Sequence, residues 1–182
     1  MSRPANAKRP IVSSAHLVSE RSAELSEFEY GLIVASHAFN RWMVRCMAAA
    51  GIGDLGPLDI MVLHSVNHRA RDKKLADICF VLNVEDSHTV SYALRKLVRA
   101  GLVAARKSGK ETLYAVTEDG RAACERYRQV REDCLMAALD AFAGTAPGMA
   151  EGDLNQRIGS AADLLRAASG LYDQAARAAT SL

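Results

Sequence analysis

The chain has 182 residues, enough for one domain with extensions, and 49% of its residues are hydrophobic while only 5% are aromatic. This composition is typical of an Ala- and Leu-rich helical protein, and the formal net charge of +2 favours no class of partner. The longest apolar stretch, residues 30–51, is interrupted by charged and polar side chains, and the N-terminus has no signal-peptide pattern. We therefore expect a cytoplasmic protein with no membrane partner.

Four segments precede the most informative part of the chain. Residues 1–20 are polar and hold two prolines, which predicts a flexible N-terminal arm. Apolar residues then recur every three to four positions, which predicts one long helix over residues 22–50. Pro57 suits the first turn of a second helix, and a third helix is expected over about residues 73–82 after a polar turn.

Residues 86–101 predict a short amphipathic helix with a clear start and stop. Asp86 is a good N-cap, and Gly101 ends the helix. The apolar side chains that share one face are Val90, Ala93, Leu94, Leu97 and Val98. The outer face of this helix, with Thr89 and Lys96 near its boundary, consists of Ser87, His88, Thr89, Ser91, Tyr92, Arg95 and Lys96. Small hydrogen-bonding groups followed by cations fit the major groove of double-stranded DNA.

Tyr92 allows two interpretations on this helix. In the first, its ring lies against a thymine methyl group or its hydroxyl bonds a phosphate. In the second, the side chain is half-buried against the third helix. The sequence favours neither of them.

The next segment, residues 102–116, predicts a β-hairpin, because two short strands flank a tight turn at Ser108 and Gly109. A helix-turn-helix followed by such a hairpin is a winged helix, and the hairpin is its wing. The wing residues expected to contact DNA are Arg106, Lys107, Ser108, Gly109 and Lys110. The elements together predict a mainly α fold, in which residues 57–117 form a winged helix-turn-helix with a three-helix core and a two-stranded β-wing.

Positive charge is concentrated around this motif. Between Arg69 and Lys110 there are ten Lys and Arg residues and four acidic residues, and ten minus four gives a local charge of +6. A basic surface centred on one motif is expected where a protein contacts phosphates, although a solvated helical face can also carry such charge.

The rest of the chain, residues 118–182, predicts long helices. Thr117 resembles an N-cap and is followed by two acidic residues, which the helix dipole favours there. A break is expected at residues 144–148, where Gly and Pro interrupt the apolar spacing, and a last helix follows from about residue 153 to residue 181.

The order of these elements resembles the MarR (multiple antibiotic resistance regulator) family of bacterial winged-helix transcription factors. The segments that carry the resemblance are Leu58-Asp-Ile-Met-Val-Leu63, Leu75-Ala-Asp-Ile-Cys79, Thr89-Val-Ser-Tyr-Ala-Leu-Arg-Lys-Leu-Val-Arg-Ala-Gly-Leu102 and Val116-Thr-Glu-Asp-Gly120. Each segment is weak alone, but their order and spacing from Leu58 to Gly120 are fairly specific.

The resemblance implies a homodimer that binds a pseudo-palindromic operator in double-stranded DNA and regulates transcription. It also implies that the long helices of residues 22–50 and 118–182 form the dimer interface, and that a small-molecule effector of unknown identity binds the protein. The chain departs from the family at the wing, which is shorter than is typical and lacks the arginine that enters the minor groove in relatives. Arg106, Lys107 and Lys110 are therefore expected to contact phosphates with little reading of sequence.

Other functional classes find less support in the sequence. His64 and His68 have zinc-compatible spacing but no convincing third ligand, so we expect no metal and no cofactor. The four cysteines occur singly on apolar faces, which favours buried thiols; a redox sensor that uses Cys46 or Cys134 is an alternative. A second alternative is a winged helix that binds protein. No catalytic set of residues is evident, so we expect no enzyme.

Overall fold

The computed structural model describes Val18, residues 21–145 and residues 153–182. Its described residues form two compact units, one up to Val130 and the other from Arg131 onwards. The predicted flexible arm lies outside the described residues, except for Val18.

Helices make up most of the first unit. In chain order they are α1 (Ala23–Ala49), α2 (Pro57–Asn67), α3 (Leu75–Leu82), α4 (Ser87–Arg99) and α5 (Glu118–Arg131). Pro57 is the first residue of α2, as expected for a residue whose fixed backbone suits the first turn. The helix that ends at Arg99 is followed by Gly101 with a φ of +73°, a left-handed conformation that glycine adopts without steric cost.

The first unit also contains a small antiparallel sheet. Its strands are β1 (Lys73–Lys74), β2 (Val103–Ser108) and β3 (Glu111–Val116), in the spatial order β1-β3-β2. Val103 pairs with Val116 at the base of the hairpin, and Ser108 pairs with Glu111 at its tip. The predicted hairpin is therefore present, but its two turn residues are Gly109 and Lys110, one position later than the predicted turn at Ser108 and Gly109. The mainly α winged helix-turn-helix fold is confirmed.

Strand β1 was not predicted. The sequence predicted a helix from residue 73, but Lys73 pairs with Tyr114 of β3, and the helix begins only at Leu75. The side chain of Lys73 is buried, and its ammonium donates to the backbone carbonyl of His68. Burial lowers the pKa of Lys73, and the nearby Arg71 and Arg69 lower it further. The prediction was wrong at its first two residues because pairing with a distant strand determines their conformation.

The hydrophobic core lies where the helices and the hairpin of this unit meet. Its largest fully buried side chains are Met47, Ile60, Leu63, Ile78, Leu94, Leu97, Val62, Val66, Val90, Val103 and Cys46. They come from α1, α2, α3, α4 and β2, so all three helices of the predicted helix-turn-helix pack on the base of the wing and on one end of α1.

The hairpin and the start of α5 are joined by a compact junction at Thr117. The Thr117 amide donates to the Leu102 carbonyl at 3.1 Å, while its hydroxyl donates to the Gly101 carbonyl at 2.7 Å and accepts from the Gly120 amide at 3.1 Å. Thr117 is thus the N-cap that the sequence predicted, and it also closes the base of the wing.

Only the C-terminal part of α1 belongs to this core. Met43, Cys46 and Met47 are buried, whereas residues 30–39 are all exposed. The apolar spacing therefore predicted the helix correctly, but within the described chain most of its apolar face meets solvent.

The second unit is also helical. The segment Glu132–Met136 has π-helical hydrogen bonds, and it precedes α6 (Ala137–Thr145). The last helix, α7, spans Asp153–Ala179. The predicted break at residues 144–148 begins inside α6, and its last three residues lie outside the described part of the chain. The assignment of the flanking helices to dimerization stays a prediction.

Candidate DNA-binding surface

Helix α4 is capped and oriented as the sequence predicted. The Asp86 carboxylate accepts a hydrogen bond from the His88 amide at 2.9 Å, and the Thr89 hydroxyl donates to the Asp86 carbonyl at 2.8 Å. Val90, Ala93, Leu94 and Leu97 are at most 1% exposed and anchor the inner face of the helix. The cap and the apolar face together fix which side chains point outward.

The outer face of α4 is accessible to a ligand. Five of its predicted residues are exposed, namely Ser87, His88, Thr89, Tyr92 and Arg95, while Ser91 and Lys96 are half-buried. Tyr92 is 59% exposed, so the interpretation that it is half-buried against the third helix is wrong. An exposed tyrosine in the second turn of the helix can contact either a base or a phosphate.

An open groove runs along this outer face. One wall is the first turn of α2, and the other is formed by α4. The lining residues are Leu58, Asp59, His88, Thr89, Tyr92, Ala93 and Arg95. The groove therefore places a hydrophobic residue and a carboxylate of α2 beside the outer face of α4 that is predicted to bind DNA.

The wing tip is short and exposed. Strands β2 and β3 are joined by Gly109 and Lys110, and Gly109 has a φ of +61°, which only glycine adopts readily. All of the predicted wing residues, 106–110, are exposed. Arg106, however, forms an ion pair with Asp72, which leaves Lys107 and Lys110 as the wing cations without an ion pair in the described chain.

The wing is also connected to the start of α3. The Lys74 ammonium lies 2.6 Å from the Glu111 carboxylate, and this hydrogen bond raises the pKa of Lys74. Both side chains are about half exposed, so the pair contributes little to stability. The pair adds to the pairing of β1 with β3, which connects the wing to the helix-turn-helix.

Four of the ten cations in the basic segment are engaged within the protein, because Lys73 is buried and Lys74, Lys96 and Arg106 form ion pairs. The described chain shows no ion pair for the other six, which are Arg69, Arg71, Arg95, Arg99, Lys107 and Lys110. Arg95 and Arg99 lie on α4, and Lys107 and Lys110 lie on the wing. Positive charge available to a phosphate backbone is therefore concentrated on the two elements that the sequence singled out.

Lys96 differs from Arg95 and Arg99 on α4, because it forms an ion pair within the protein. Its ammonium lies 2.8 Å from Oδ2 of Asp59, the buried carboxylate at the start of α2. The hydrogen bond to Asp59 is the main cause of the raised pKa of Lys96. The sequence missed this contact, since the two residues are 37 positions apart.

The four cysteines differ in how far their side chains are exposed to solvent. Cys46 is 1% exposed, and its thiol contacts the Tyr127 carbonyl at 3.5 Å. Burial raises the pKa of the Cys124 thiol to about 11, so it is protonated at neutral pH. Cys79 is half-buried, and Cys134 is exposed. Of the two predicted sensor candidates, Cys134 is the accessible one, whereas burial argues against Cys46.

His64 lies in the packing between α2 and α5. Its ring makes an edge contact with Tyr127 at a centroid distance of 4.7 Å, and its Nε2 atom is buried without a hydrogen-bond partner among the described residues. Burial lowers the pKa of His64. Within the described residues, no group of three or more His, Cys, Asp or Glu side chains is placed to hold a metal.

Comparison with known proteins agrees with this geometry. Residues 55–120 match the family model of winged helix DNA-binding domains. No curated protein shows a significant match to the sequence. In the described part of the chain, no helix is both long enough and apolar enough to cross a membrane.

Several solved structures have the same fold. RV1404 from Mycobacterium tuberculosis is 18% identical, with a TM-score of 0.61 over 82% of this chain and 96% of its own. A MarR transcriptional regulator from Methanosarcina mazei Go1 is 13% identical, with a TM-score of 0.61 over 80% and 92%. A MarR-family regulator from Rhodococcus sp. RHA1 is 16% identical, with a TM-score of 0.56 over 79% and 95%.

The chain therefore contains a winged helix DNA-binding domain. Its fold is that of the MarR-family transcriptional regulators, which confirms the resemblance drawn from the sequence at the level of fold. The match to the family model identifies this domain as one that binds DNA, and the likeness to the solved structures extends to the fold.

Proposed function

We propose that this protein is a MarR-family regulator that binds a pseudo-palindromic operator as a homodimer. The observation that carries the proposal is the exposed outer face of α4, which lies beside cations that have no carboxylate partner in the described chain. The small-molecule effector implied by the family resemblance stays a prediction.

The outer face of α4 suits direct reading of bases. Ser87, His88 and Ser91 stand at the start of the helix, where a recognition helix contacts base edges. Arg95 is exposed one turn beyond Ser91, and an arginine there can bind guanine through two hydrogen bonds. Lys110 at the wing tip suits a phosphate, because a short wing carries charge but offers few groups for base recognition.

The long helices support a homodimer. On α1, Tyr30, Ile33, Val34 and Phe39 are between 43% and 57% exposed. Helix α7, considered by itself, exposes Leu164, Leu165 and Leu171 to between 46% and 56%. Large apolar side chains repeated along a helix are typical of an interface, and a two-fold axis would let the same face cover itself.

The DNA-binding proposal is tested by selecting bound sequences from a random DNA pool and then measuring variants on the selected operator and on random DNA. Arg95→Ala should lower operator affinity selectively, by about 1–3 kcal/mol, because it removes a base contact. Lys110→Ala should weaken binding to both DNAs, because it removes a phosphate contact. It should also lower the salt slope, which is the slope of the logarithm of the binding constant against the logarithm of the salt concentration, by roughly one unit.

Two outcomes would contradict these assignments. Equal losses on operator and random DNA for Arg95→Ala would mean that Arg95 contacts only phosphate. A wild-type protein that enriches no sequence from the pool would refute the DNA-binding proposal itself and favour the protein-binding alternative.

The homodimer is tested by sedimentation at micromolar concentration. We expect a dimer, and we expect Ile33→Glu to produce monomers because it places a charge on the exposed apolar face of α1. The matched control is Val81→Glu, which adds the same charge at another exposed β-branched residue, in α3 and outside the helices proposed to form the interface. In the proposed complex each protomer of the dimer binds one half of the operator, and the two halves lie about 34–36 Å apart. A monomeric wild type would refute this arrangement.

A further inference from the structure

A polar contact joins the third turn of α4 to the first turn of α2. Oδ2 of Asp59 accepts from the Gly56 amide at 2.9 Å and from the Lys96 ammonium at 2.8 Å. The Asp59 side chain is 11% exposed and that of Lys96 is 31% exposed. One carboxylate oxygen therefore caps α2 and holds the DNA-facing helix at the same time.

Lys96 is poorly available to DNA in this arrangement. To reach a phosphate, its ammonium would have to leave Asp59, and a largely buried carboxylate would then lose its counter-charge. The hydrogen bond to Asp59 is also the main cause of the raised pKa of Lys96. The contrast is with Arg95 and Arg99 on the same helix, which have no ion pair in the described chain.

The contact is well placed to orient the outer face of α4. Asp59 lines the groove whose opposite wall includes His88, Tyr92 and Arg95, so the pair lies directly beside the proposed base-reading residues. Val90, Ala93, Leu94 and Leu97 of α4 pack in the apolar core. Apolar packing is not directional, whereas a charge-assisted hydrogen bond has a preferred geometry, so the pair is suited to fix the tilt and rotation of the helix.

We propose that Lys96 is a positioning residue that acts through Asp59, and that the pair increases discrimination between DNA sequences without touching DNA. This replaces the expectation that Lys96 itself contacts DNA. The inference rests on the proposed function, because it concerns how that same surface distinguishes operator from random DNA.

The test uses four versions of the full chain: wild type, Lys96→Met, Asp59→Asn and the double variant. Affinity is measured for the selected operator and for random DNA over a range of salt concentrations. Lys96→Met should lower the operator-to-random affinity ratio about tenfold, the order expected for one lost base contact, while the salt slope stays unchanged. The double variant should lose no more discrimination than Lys96→Met alone, since both changes remove the same contact.

Two further variants serve as controls. Arg99→Met removes an exposed cation that can contact a phosphate, so it should weaken operator and random DNA equally and leave the affinity ratio unchanged. Lys96→Arg keeps a cation that can reach Asp59 and should largely retain the ratio. If Lys96→Met folds poorly because Asp59 is left unpaired, the double variant still reports the effect, because the neutral amide introduced by Asp59→Asn can continue to accept from the Gly56 amide.

The outcomes separate the inference from the proposed function. If the wild type selects no sequence, the proposed function fails and the inference fails with it. If the wild type selects an operator but Lys96→Met lowers the salt slope by about one unit and weakens both DNAs equally, Lys96 is a phosphate contact and only the inference is overturned. Additive losses in the double variant would overturn it as well.

Discussion

A single methyl group at Gly120 should destabilise the protein more than its size suggests. Gly120 lies in the first turn of α5 and packs against the backbone of Leu102, the residue just before strand β2 of the wing. A Cβ atom at this position would lie 2.1 Å from the Leu102 carbonyl oxygen and 2.8 Å from a methyl carbon of Val116. A carbon and a carbonyl oxygen ordinarily approach to about 3.3 Å, so backbone would have to shift by roughly 1.2 Å.

The cost of that shift follows from what it disturbs. Forcing extra volume into a packed site costs about 1–3 kcal/mol, and the displaced Leu102 carbonyl also accepts from Thr117, a bond worth about 0.5–1.5 kcal/mol. We expect Gly120→Ala to lower the free energy of unfolding by about 2–4 kcal/mol, as measured by urea denaturation. The melting temperature should fall by roughly 4–16 °C.

Gly53 provides the matched control. It is exposed, and an added Cβ would meet no atom within 4 Å. Gly53→Ala should therefore leave stability unchanged or raise it by about 0.4–1 kcal/mol, through the lower entropy of the unfolded chain. A Gly120→Ala variant within about 0.5 kcal/mol of wild type would refute the close packing of α5 on the wing base.

The cap of α4, the burial of His64 and the unequal burial of the cysteines can each be tested by a variant or a labelling experiment. Asp86→Ala should lower the free energy of unfolding by about 0.5–2 kcal/mol in urea, whereas His88→Ala should leave stability nearly unchanged and alter operator preference; the reverse pattern would mean that α4 is rotated. The lowered pKa of His64 means that the stability from its neutral form is fully present above about pH 6.5 and is lost as the pH falls from there through the lower folded-state pKa. His64→Phe should therefore flatten the decline of the unfolding free energy below about pH 6.5 in urea, and an unchanged decline would contradict the burial. In the native protein Cys134 should react with a maleimide well before Cys124, as followed by mass spectrometry of the labelled peptides, and equal rates would contradict their different burial.

Local patterns accounted for the elements that carry the candidate site. Helix α4 was predictable because its apolar face, its cap at Asp86 and its stop at Gly101 all lie within one short segment. The hairpin was predictable for the same reason, since strand pairing across a two-residue turn is local. The order of these elements was enough to indicate the fold.

Contacts between distant residues were not predictable in the same way. Strand β1 exists because Lys73 pairs with Tyr114, and nothing within the segment itself distinguishes it from the start of a helix. The Lys96–Asp59 contact depends on how two helices cross, and the sequence alone therefore predicts a DNA contact for Lys96, at the boundary of the outer face of α4. The apolar spacing of α1 likewise could not show that residues 30–39 are exposed in the single chain.

The ion pairs of the wing affect how salt titrations should be interpreted. When a cation without a partner binds a phosphate, DNA releases counterions, and the salt slope counts that contact. If Arg106 leaves Asp72 to bind a phosphate, the freed carboxylate attracts a cation from solution, and the net release is smaller. The same holds for Lys74 and Glu111. The salt slope of this protein should therefore undercount its phosphate contacts, and the undercount should shrink when Asp72 and Glu111 are replaced by neutral residues.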